Sequence, residues 1–406
     1  MPEARPGGPG TGATTRPRRY QLDKRGVALV AAGHPWIFRG GVSSAAAAFA
    51  DGQWLALYDG HNQVVGHGVY AAAGAIAIRV LARGPARPRG AELAARVDAA
   101  LARRAPLLAE TDAFRAVHGE SDDLPAVTAD VYAGVVVVQA YAAGVDGLAR
   151  LVARRLAARL GPVAVGLRAG HRRVAAPGEG VGPGAPPRVL RGHPGEEIGF
   201  REGPLTLVAR PLSGQKGGAF LDLRGLRRWL AAQPLAGAHV LNLFAYTGTL
   251  GLAAEHAGAA RVVQVDRAAD ALALARRHHV RDPDRHELIT ADVFAWLPRA
   301  SGAYQVVIVD PPSMTSRMEQ VAGVLATYRR LHRAAAARVA PGGHLVLCCC
   351  TSRVSRARFA GVVGELTAGP GPRWRLVADL PPELDHPVGF PEADYLKVMI
   401  LRRPDA

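Results

Sequence analysis

The sequence of 406 residues predicts an α/β protein in which two smaller domains precede a mostly parallel, doubly wound sheet. Two observations support this prediction. From about residue 201 the chain alternates regularly between strand-like and helix-like segments, which is typical of a parallel sheet with crossover helices. Before that point, short β-rich runs are followed by a segment of mixed pattern. The chain is also longer than the roughly 100–200 residues of one ordinary domain, so several domains are expected.

Four segments divide the chain. Residues 1–19 are polar and basic, which predicts a disordered tail. Residues 20–84 carry the apolar runs WLALYDG, QVVGHGVY and AIAIRVL between turn residues, a pattern that favours a small β-barrel-like domain. Residues 88–200 predict a central α+β domain, which begins with a helix from Ala91 to Ala109 and contains a Gly/Pro-rich loop or extended hairpin at 172–197. Residues 201–406 form the sheet domain.

The sheet domain is predicted to end in an antiparallel hairpin. Five strands, HVLNLF, RVVQVD, ELIT, YQVVIVD and HLVLCCC, are separated by helices such as Asp270–His279 and Val321–Val339, the second stopped by Pro341-Gly342-Gly343. No helix separates the last two strands, WRLVADL and YLKVMILRR. Five parallel strands closed by such a hairpin are the class I (Rossmann-like) methyltransferase arrangement, whereas a nucleotide-dependent dehydrogenase would continue the strand–helix–strand pattern.

Composition narrows the function classes. No apolar stretch approaches the roughly 20 residues of a membrane helix, and the N-terminus lacks the apolar core of a secretory signal, so a cytoplasmic protein is expected. The three cysteines are adjacent, Cys348, Cys349 and Cys350, which excludes a disulfide framework and disfavours a zinc site; no metal is expected.

The net charge of +16 predicts a polyanionic partner, most simply RNA, because cationic side chains that neutralise phosphates release counterions. Three of the 50 basic residues are lysines and 47 are arginines. The arginine excess has a second interpretation, a base-composition bias of the genome without any role in binding.

The ends of the first three strands predict a binding site for S-adenosylmethionine. A glycine-containing turn, 245–251, follows HVLNLF, Asp266 ends the second strand where it can bond both ribose hydroxyls, and Asp292 follows the third strand near the adenine. Asp292 has an alternative role as the N-cap of a helix that begins at Val293. Further cofactor contacts are predicted around the ends of these three strands and of the fourth strand. The full set is Asn242, Phe244, Tyr246, Thr247, Gly248, Asp266, Arg267, Asp292, Val293, Asp310 and Pro311.

The fourth and fifth strand ends predict the chemistry. Enzymes that methylate exocyclic amines commonly carry an aromatic residue after Asp310-Pro311-Pro312; Ser313 stands there instead, which disfavours amine methylation. Cys350 lies at the tip of the fifth strand, whereas Cys348 and Cys349 read as small buried hydrophobic residues. Carbon 5 of cytosine accepts a methyl group only after a thiolate adds to carbon 6, so Cys350 is the predicted nucleophile and Asp310 the group that holds the N3 and N4 edge.

These residues resemble the bacterial large-subunit ribosomal RNA cytosine-C5 methyltransferases, which are built from a PUA domain, a central α+β domain and a methyltransferase domain. The similarity extends from about Tyr20 to the C-terminal region. It rests on HPWIF (34–38), GESDDLP (119–125), GQKGGAFLDLR (214–224), NLFAYTG, DVF, VDPPS and DHPVGFPEADYLK (385–397).

The resemblance implies that the hairpin 215–224 folds over the cofactor, with Lys216, Phe220, Asp222 and Arg224 as contacts, and it places Cys350 at the position of the family's cysteine. Departures from the family pattern are Cys349 and Thr351 as the neighbours of Cys350, Leu223 in place of glutamine, Ser313 in place of lysine, and YRRLH near Tyr328. They leave the cofactor assignment intact and the target base open.

In the PUA-like segment, the predicted RNA contacts are His34, Trp36, Phe38 and Arg39, with a core role as the alternative for Trp36 and Phe38. A homodimer is also compatible with the sequence. Three function classes therefore remain: an RNA cytosine-C5 methyltransferase, a methyltransferase for another RNA base, an amine or a small molecule, and a non-catalytic RNA-binding or ribosome-assembly protein.

Overall fold

The structure is a computed structural model, and it describes residues 17–41, 49–169, 186–214, 218–315, 317–368 and 373–405. The chain separates into two compact units. The first comprises residues up to 89 together with 142–147, and the second comprises 90–141 and 148–406.

The first unit contains one sheet. Its strands are β1 (Arg18–Gln21), β2 (Trp36–Phe38), β3 (Trp54–Tyr58), β4 (Val64–Tyr70) and β5 (Ile76–Arg83), in the spatial order β1-β3-β4-β5-β2. The helix α1 (Lys24–Ala31) was not predicted; Asp23 caps it by accepting a hydrogen bond from the Gly26 backbone N–H at 2.7 Å. The first strand begins at Arg18, inside the predicted tail, and residues 1–16 of that tail lie outside the described residues.

The N-terminal part of the second unit contains another five-stranded sheet. Its elements are α2 (Gly90–Arg104), β6 (Ala113–His118), β7 (Val127–Tyr132), β8 (Val135–Ala140), α3 (Asp146–Leu160), β9 (Ala164–Ala169) and β10 (Arg188–Arg191), with the strand order β10-β9-β8-β7-β6. The predicted helix 91–109 is α-helical only to Arg104 and continues as a 3₁₀ turn, because Pro106 lacks the N–H that an α-helix needs. Within 172–197, β10 pairs antiparallel with β9, while 170–185 lie outside the described residues.

A hairpin and a helix connect this sheet to the seven-stranded sheet of the predicted methyltransferase domain, which is called the catalytic sheet below. The hairpin consists of β11 (Ile198–Glu202) and β12 (Leu205–Ala209), and the helix is α4 (Arg224–Ala231). Beyond α4 follow β13 (His239–Leu243), α5 (Thr249–His256), β14 (Arg261–Asp266), α6 (Ala269–His278), β15 (His286–Thr290), α7 (Val293–Trp296), β16 (Tyr304–Val309), α8 (Val321–Ala336), β17 (Val339–Cys349), α9 (Arg356–Ala368), β18 (Arg375–Leu380) and β19 (Lys397–Arg402).

The catalytic sheet has the predicted topology. Its order is β15-β14-β13-β16-β17-β19-β18; β13 to β17 are parallel, and β19 pairs antiparallel with both β17 and β18. The expected class I methyltransferase sheet with a terminal hairpin is therefore confirmed. One prediction was wrong: α8 ends at Ala336, and Pro341-Gly342-Gly343 lies inside β17, where an irregularity in the pairing with β16 accommodates the extra residues.

Both faces of the catalytic sheet are buried. The strands β16 and β17 therefore read as nearly continuous apolar runs, as expected for strands covered on both sides. Alternation along β17 sends Cys348 into one of the two hydrophobic clusters and Cys349 into the other. Among the described residues, no helix is both long and apolar enough to cross a membrane.

Candidate active site

The carboxyl ends of β13, β14, β16 and β17 meet at one edge of the catalytic sheet. Parallel pairing aligns Leu243 with Val265 and with Val309, and Val309 with Leu347. The residues that follow these strands are consequently brought together, as ligand-binding residues are in open α/β sheets.

The loop after β13 has an unusual backbone. Phe244 and Tyr246 adopt positive φ angles of 62° and 48°, and Gly248 has φ of 75°. Phe220, in the segment that leads into α4, has φ of 47°. Non-glycine residues in this region store strain, which accumulates at functional sites. The Phe220 ring packs edge-on against Tyr246 with a centroid distance of 5.1 Å, and the Thr247 hydroxyl donates to the Gly218 carbonyl at 3.3 Å. Gly218 and Phe220 thus lie against this loop, whereas Lys216 lies outside the described residues.

The glycine of this turn, Gly248, allows close packing of the neighbouring side chains. A Cβ atom on Gly248 would lie 2.9 Å from the Ala275 Cβ and 3.0 Å from Gln264 Oε1, and a Cβ on Gly251 would collide with the same Gln264 side chain. Glycine permits the left-handed turn and lets α5 approach the buried Gln264.

Asp266 organises this loop from the end of β14. Its Oδ2 accepts a hydrogen bond from the Tyr246 backbone N–H at 2.8 Å, and its Oδ1 accepts one from the Ala268 N–H at 2.8 Å. Carboxylate oxygens have further lone pairs, so ribose hydroxyls can still donate to them. Arg267, beside it, is exposed.

Asp292 caps a helix, as the alternative interpretation held. Its Oδ1 accepts from the Ala295 N–H at 3.1 Å at the start of α7, and Val293 is buried behind it. Phe294 is a residue that sequence reasoning missed. It is 44% exposed and packs edge-on against Phe244 at 5.6 Å, so these two rings offer an apolar surface beside Asp292. Its position in the DVF motif was the available signal.

Two of the predicted cofactor contacts, Asn242 and Arg224, have buried side chains that bond to other parts of the protein. The Asn242 side chain is fully buried and donates to Gln264 Oε1 at 3.2 Å, underneath the loop. The Arg224 guanidinium is also buried and binds the Asp385 carboxylate with two nitrogens, at 3.1 and 3.0 Å. Through these bonds both side chains connect buried parts of the protein.

The loop between β18 and β19, residues 381–396, joins the catalytic sheet to the central one. Asp385 Oδ2 accepts from the Arg115 backbone N–H at 2.9 Å. Burial alone would raise the pKa of Asp385, but the neighbouring His386 and Arg224 hold this pKa well below its ordinary value. At the end of the same loop, the Tyr395 hydroxyl donates to Asp222 Oδ2 at 2.6 Å, so one oxygen of this predicted cofactor contact is bound by the protein.

A buried histidine, also missed, supports the loop after β13. His279 Nδ1 donates to the Thr247 carbonyl, and His279 Nε2 accepts from the Val208 N–H at 2.9 Å. Burial is the main cause that lowers the pKa of His279 to about 4. The ring is therefore neutral at pH 7, with the proton on Nδ1.

The predicted nucleophile lies beside the end of β16. The Cys350 thiol donates to the Pro311 carbonyl oxygen at 3.5 Å and is partly exposed, whereas Cys348 and Cys349 are fully buried. Burial, followed by the charge of Asp310, raises the pKa of Cys348 well above its ordinary value, which keeps that thiol protonated. Asp310 is partly buried directly after β16, and Ser313 is exposed.

This edge of the sheet fits S-adenosylmethionine. Carboxylates at the ends of β14 and β15 suit ribose hydroxyls and an adenine amino group, and Phe244 and Phe294 suit the face of the purine. The partly exposed Cys350 beside Pro311 lies where the reacting base would be held. Among the described residues, no group of three or more potential metal ligands is present.

The first unit carries the predicted RNA contacts. Ile37 of β2 is fully buried, whereas its neighbours Trp36 and Phe38 are only partly buried. The rings of His34, Trp36 and Phe38 lie within 5.6–6.4 Å of one another. Ile37 is the core residue of this strand. Arg39 donates to the carbonyls of Gly74 and Ala71 at 2.8 and 2.7 Å, so it anchors the turn between β4 and β5.

Comparisons with known proteins agree with this description. The profile of S-adenosylmethionine-dependent methyltransferases matches residues 114–402, and that of PUA-like domains matches residues 21–83. A methyltransferase from Streptococcus mutans superposes with a TM-score of 0.79 at 19% identity, covering 95% of this chain and 100% of that one. Another methyltransferase, crystallised with SAH, superposes with a TM-score of 0.81 at 20% identity over the same shares. The chain is an S-adenosylmethionine-dependent methyltransferase with a PUA-like domain.

Sequence relatives define the family more closely. A ribosomal RNA large subunit methyltransferase from Deinococcus radiodurans is 35% identical over 404 residues, which cover 96% of this chain and 98% of the relative. Ribosomal RNA large subunit methyltransferase I from Shewanella amazonensis is 30% identical, covering 95% and 97%. The chain belongs to the family of ribosomal RNA large subunit methyltransferases.

Proposed function

We propose that this protein methylates carbon 5 of a cytosine in large-subunit ribosomal RNA, with Cys350 as the nucleophile. The observation that carries the proposal is the position of the Cys350 thiol, partly exposed and 3.5 Å from the Pro311 carbonyl at the neighbouring strand end. The names of the relatives support the RNA substrate. Ribosomal RNA as substrate also agrees with the expected cytoplasmic location.

The chemistry follows from what cytosine requires. The Cys350 thiolate adds to carbon 6 of the ring, a new S–C bond forms, and electron density moves to carbon 5. Asp310 accepts a hydrogen bond from the N4 amino group and shares a proton with N3, which stabilises the adduct. The bound cofactor supplies an electrophilic methyl group. Carbon 5 takes up that methyl group as the bond between the methyl group and the cofactor sulfur breaks, with the electron pair left on sulfur. The carbon 5 proton is then lost to solvent, the ring double bond re-forms, and the S–C bond to Cys350 breaks and releases the thiolate.

The nucleophile can be tested by covalent trapping. With RNA that contains 5-fluorocytosine, carbon 5 carries fluorine in place of the departing proton, so the wild-type protein should remain bound to RNA through Cys350. Cys350→Ser should bind S-adenosylmethionine with unchanged affinity but form no adduct and transfer no methyl group. Methyl transfer to ordinary RNA by Cys350→Ser at the wild-type rate would disprove the role of Cys350. Labelling of an amine or small molecule with no labelling of RNA would favour the alternative substrate class.

We further propose that the aromatic cluster His34, Trp36 and Phe38 stacks on RNA bases. Arg79 lies over the Trp36 ring at 5.7 Å, which adds positive charge to this surface. Stacking on an aromatic side chain contributes about 1–3 kcal/mol per base. Trp36→Ala should therefore weaken RNA binding about 5- to 150-fold while S-adenosylmethionine binding stays unchanged. Tyr58→Ala is the matched control, since Tyr58 is a partly buried aromatic residue of the same sheet outside this cluster. Equal RNA binding by Trp36→Ala and the wild type would contradict the stacking proposal.

A further inference from the structure

The segment directly after Cys350 is held from three directions. Thr351 is fully buried; its hydroxyl oxygen accepts from the Met314 backbone N–H at 3.3 Å and lies 3.3 Å from the Tyr328 hydroxyl. The Thr351 carbonyl accepts a hydrogen bond from Lys397 Nζ at 3.2 Å. The loop after β16, the helix α8 and the strand β19 are thereby joined at the residue that follows the predicted nucleophile.

Lys397 is an unusual residue in this place. Its side chain is fully buried, and Nζ donates to two backbone carbonyls, those of Thr351 and of Tyr395, the second at 2.8 Å. Both of these acceptors are carbonyl oxygens, and neither is a carboxylate. A buried ammonium group is costly unless other groups compensate it. Two of the three lysines lie among the described residues: Lys24 is exposed, whereas Lys397 is buried at a strand tip of the catalytic sheet.

The charges around Lys397 agree with a role toward the thiols. Burial lowers the pKa of Lys397, whereas the neighbouring Cys349, Asp394 and Cys350 raise it. A positive charge that is stabilised by an ionised thiol must in turn stabilise that ionised thiol, because the interaction is mutual. Asp310 acts in the opposite sense, since a carboxylate at the same edge of the sheet disfavours a thiolate. The ionisable groups that act on Lys397 and the neighbouring thiols include Cys348, Cys349, Asp222, Asp310, Tyr328, Arg356, Asp394 and Tyr395.

We infer that Lys397 is a positioning residue for the proposed methyl transfer: it fixes the Cys350–Thr351 backbone through the Thr351 carbonyl, and its charge favours the thiolate form of Cys350. This inference rests on the proposed function of Cys350. The step it assists is the loss of the thiol proton to solvent, which precedes formation of the S–C bond. It predicts that Lys397, rather than the partly buried Arg353 three residues after Cys350, sets the pH at which Cys350 becomes reactive.

The three adjacent cysteines allow a direct test without RNA or methyl transfer. The rate of alkylation of Cys350 by iodoacetamide is measured by mass spectrometry against pH on the full chain. Lys397→Gln keeps an amide that can donate to the two carbonyls but removes the charge, so the midpoint pH should rise by about 1–2 units. Lys397→Arg should restore a midpoint close to that of the wild type. The buried Cys348 and Cys349 should stay unreactive in each folded variant and thereby report on folding.

Two further variants separate charge from position. Thr351→Val removes the hydroxyl bonds but leaves the carbonyl and Lys397, so it should slow methyl transfer while leaving the alkylation midpoint in place. Arg353→Gln should leave the midpoint unchanged. A midpoint in Lys397→Gln within 0.3 units of the wild type, or a larger shift in Arg353→Gln, would overturn the inference; the 0.3-unit margin is about the smallest shift that such a curve resolves. Failure of the proposed function would look different, because Cys350→Ser would then transfer methyl groups whatever the alkylation result.

Discussion

The tips of β13 and β17 lie at the same edge of one sheet but are built by different means. After β13 the backbone itself is special, since Phe244, Tyr246 and Gly248 all have positive φ. After β17 the support comes from side chains of distant elements, with Tyr328 and Lys397 meeting at Thr351. The first tip is therefore specified by a short local motif, and the second by residues that only the fold brings together.

The buried histidines near the two tips also differ, in the kind of contact that they make. His279, beside the first tip, has hydrogen bonds at both ring nitrogens, to the Thr247 carbonyl and the Val208 N–H. His332, in the helix behind the second tip, packs between the rings of Tyr328 and Phe359, and neither of its nitrogens has a hydrogen-bond partner among the described residues. His279 thus supports the cofactor loop through hydrogen bonds, whereas His332 supports the fifth strand through ring packing.

The sharpest test of the first tip is Gly248→Ala. Alanine would have to adopt the positive φ of Gly248. Its Cβ would lie 2.9 Å from the Ala275 Cβ and 3.0 Å from Gln264 Oε1. Backbone strain and overpacking each cost about 1–3 kcal/mol, so we expect a loss of about 4 kcal/mol in stability and loss of S-adenosylmethionine binding. Urea unfolding and calorimetric titration with the cofactor would measure the two effects.

Gly323→Ala is the matched control for this substitution. Gly323 lies in α8 with open space around its Cβ position, so alanine should stabilise the protein by about 0.5–1 kcal/mol and leave cofactor binding unchanged. Wild-type stability of Gly248→Ala would show that the first tip tolerates other backbone conformations, and the contrast between the two tips would be lost.

The difference between the tips also explains what the sequence could predict. The sheet topology, the acidic strand ends and the position of Cys350 follow from strand periodicity and from residues adjacent to each strand, and the structure confirms the fold that they imply. The role of Gly248 could not be derived in this way, because the side chain that occupies the space beside it, Gln264, belongs to another strand.

Long-range partners are the part of the site that the motifs could not show. Arg224 and Asn242 belong to motifs next to the site, yet their side chains turn to Asp385 and Gln264, which lie 161 and 22 residues away in sequence. Lys397 belongs to the DYLK segment, but nothing in its spacing shows that it reaches the Thr351 carbonyl. Motif membership therefore indicated the neighbourhood of these residues and not the direction of their side chains.

Acid should weaken the first tip through His279. Its pKa of about 4 in the folded protein lies below the ordinary value near 6.5, so the folded state binds a proton more weakly than the unfolded chain does. The stabilisation is full above about pH 6.5 and is lost as the pH falls through 4, by about 3 kcal/mol in total. His279→Asn should lower stability at pH 7.5 and flatten its decline between pH 6.5 and 4.5. An equally steep decline in this variant would assign the acid sensitivity to other groups.

His332 should respond in the opposite direction to substitution, although with a smaller effect. Burial lowers the pKa of His332 to about 3, so its contribution is likewise lost on acidification below about pH 6.5. At pH 7.5, however, its neutral ring leaves two buried nitrogens without partners among the described residues, which costs free energy. His332→Leu should therefore raise stability in urea by about 1 kcal/mol, where His279→Asn lowers it. A loss of more than about 1 kcal/mol in His332→Leu would mean that the His332 ring has a polar role, as the His279 ring has beside the first tip.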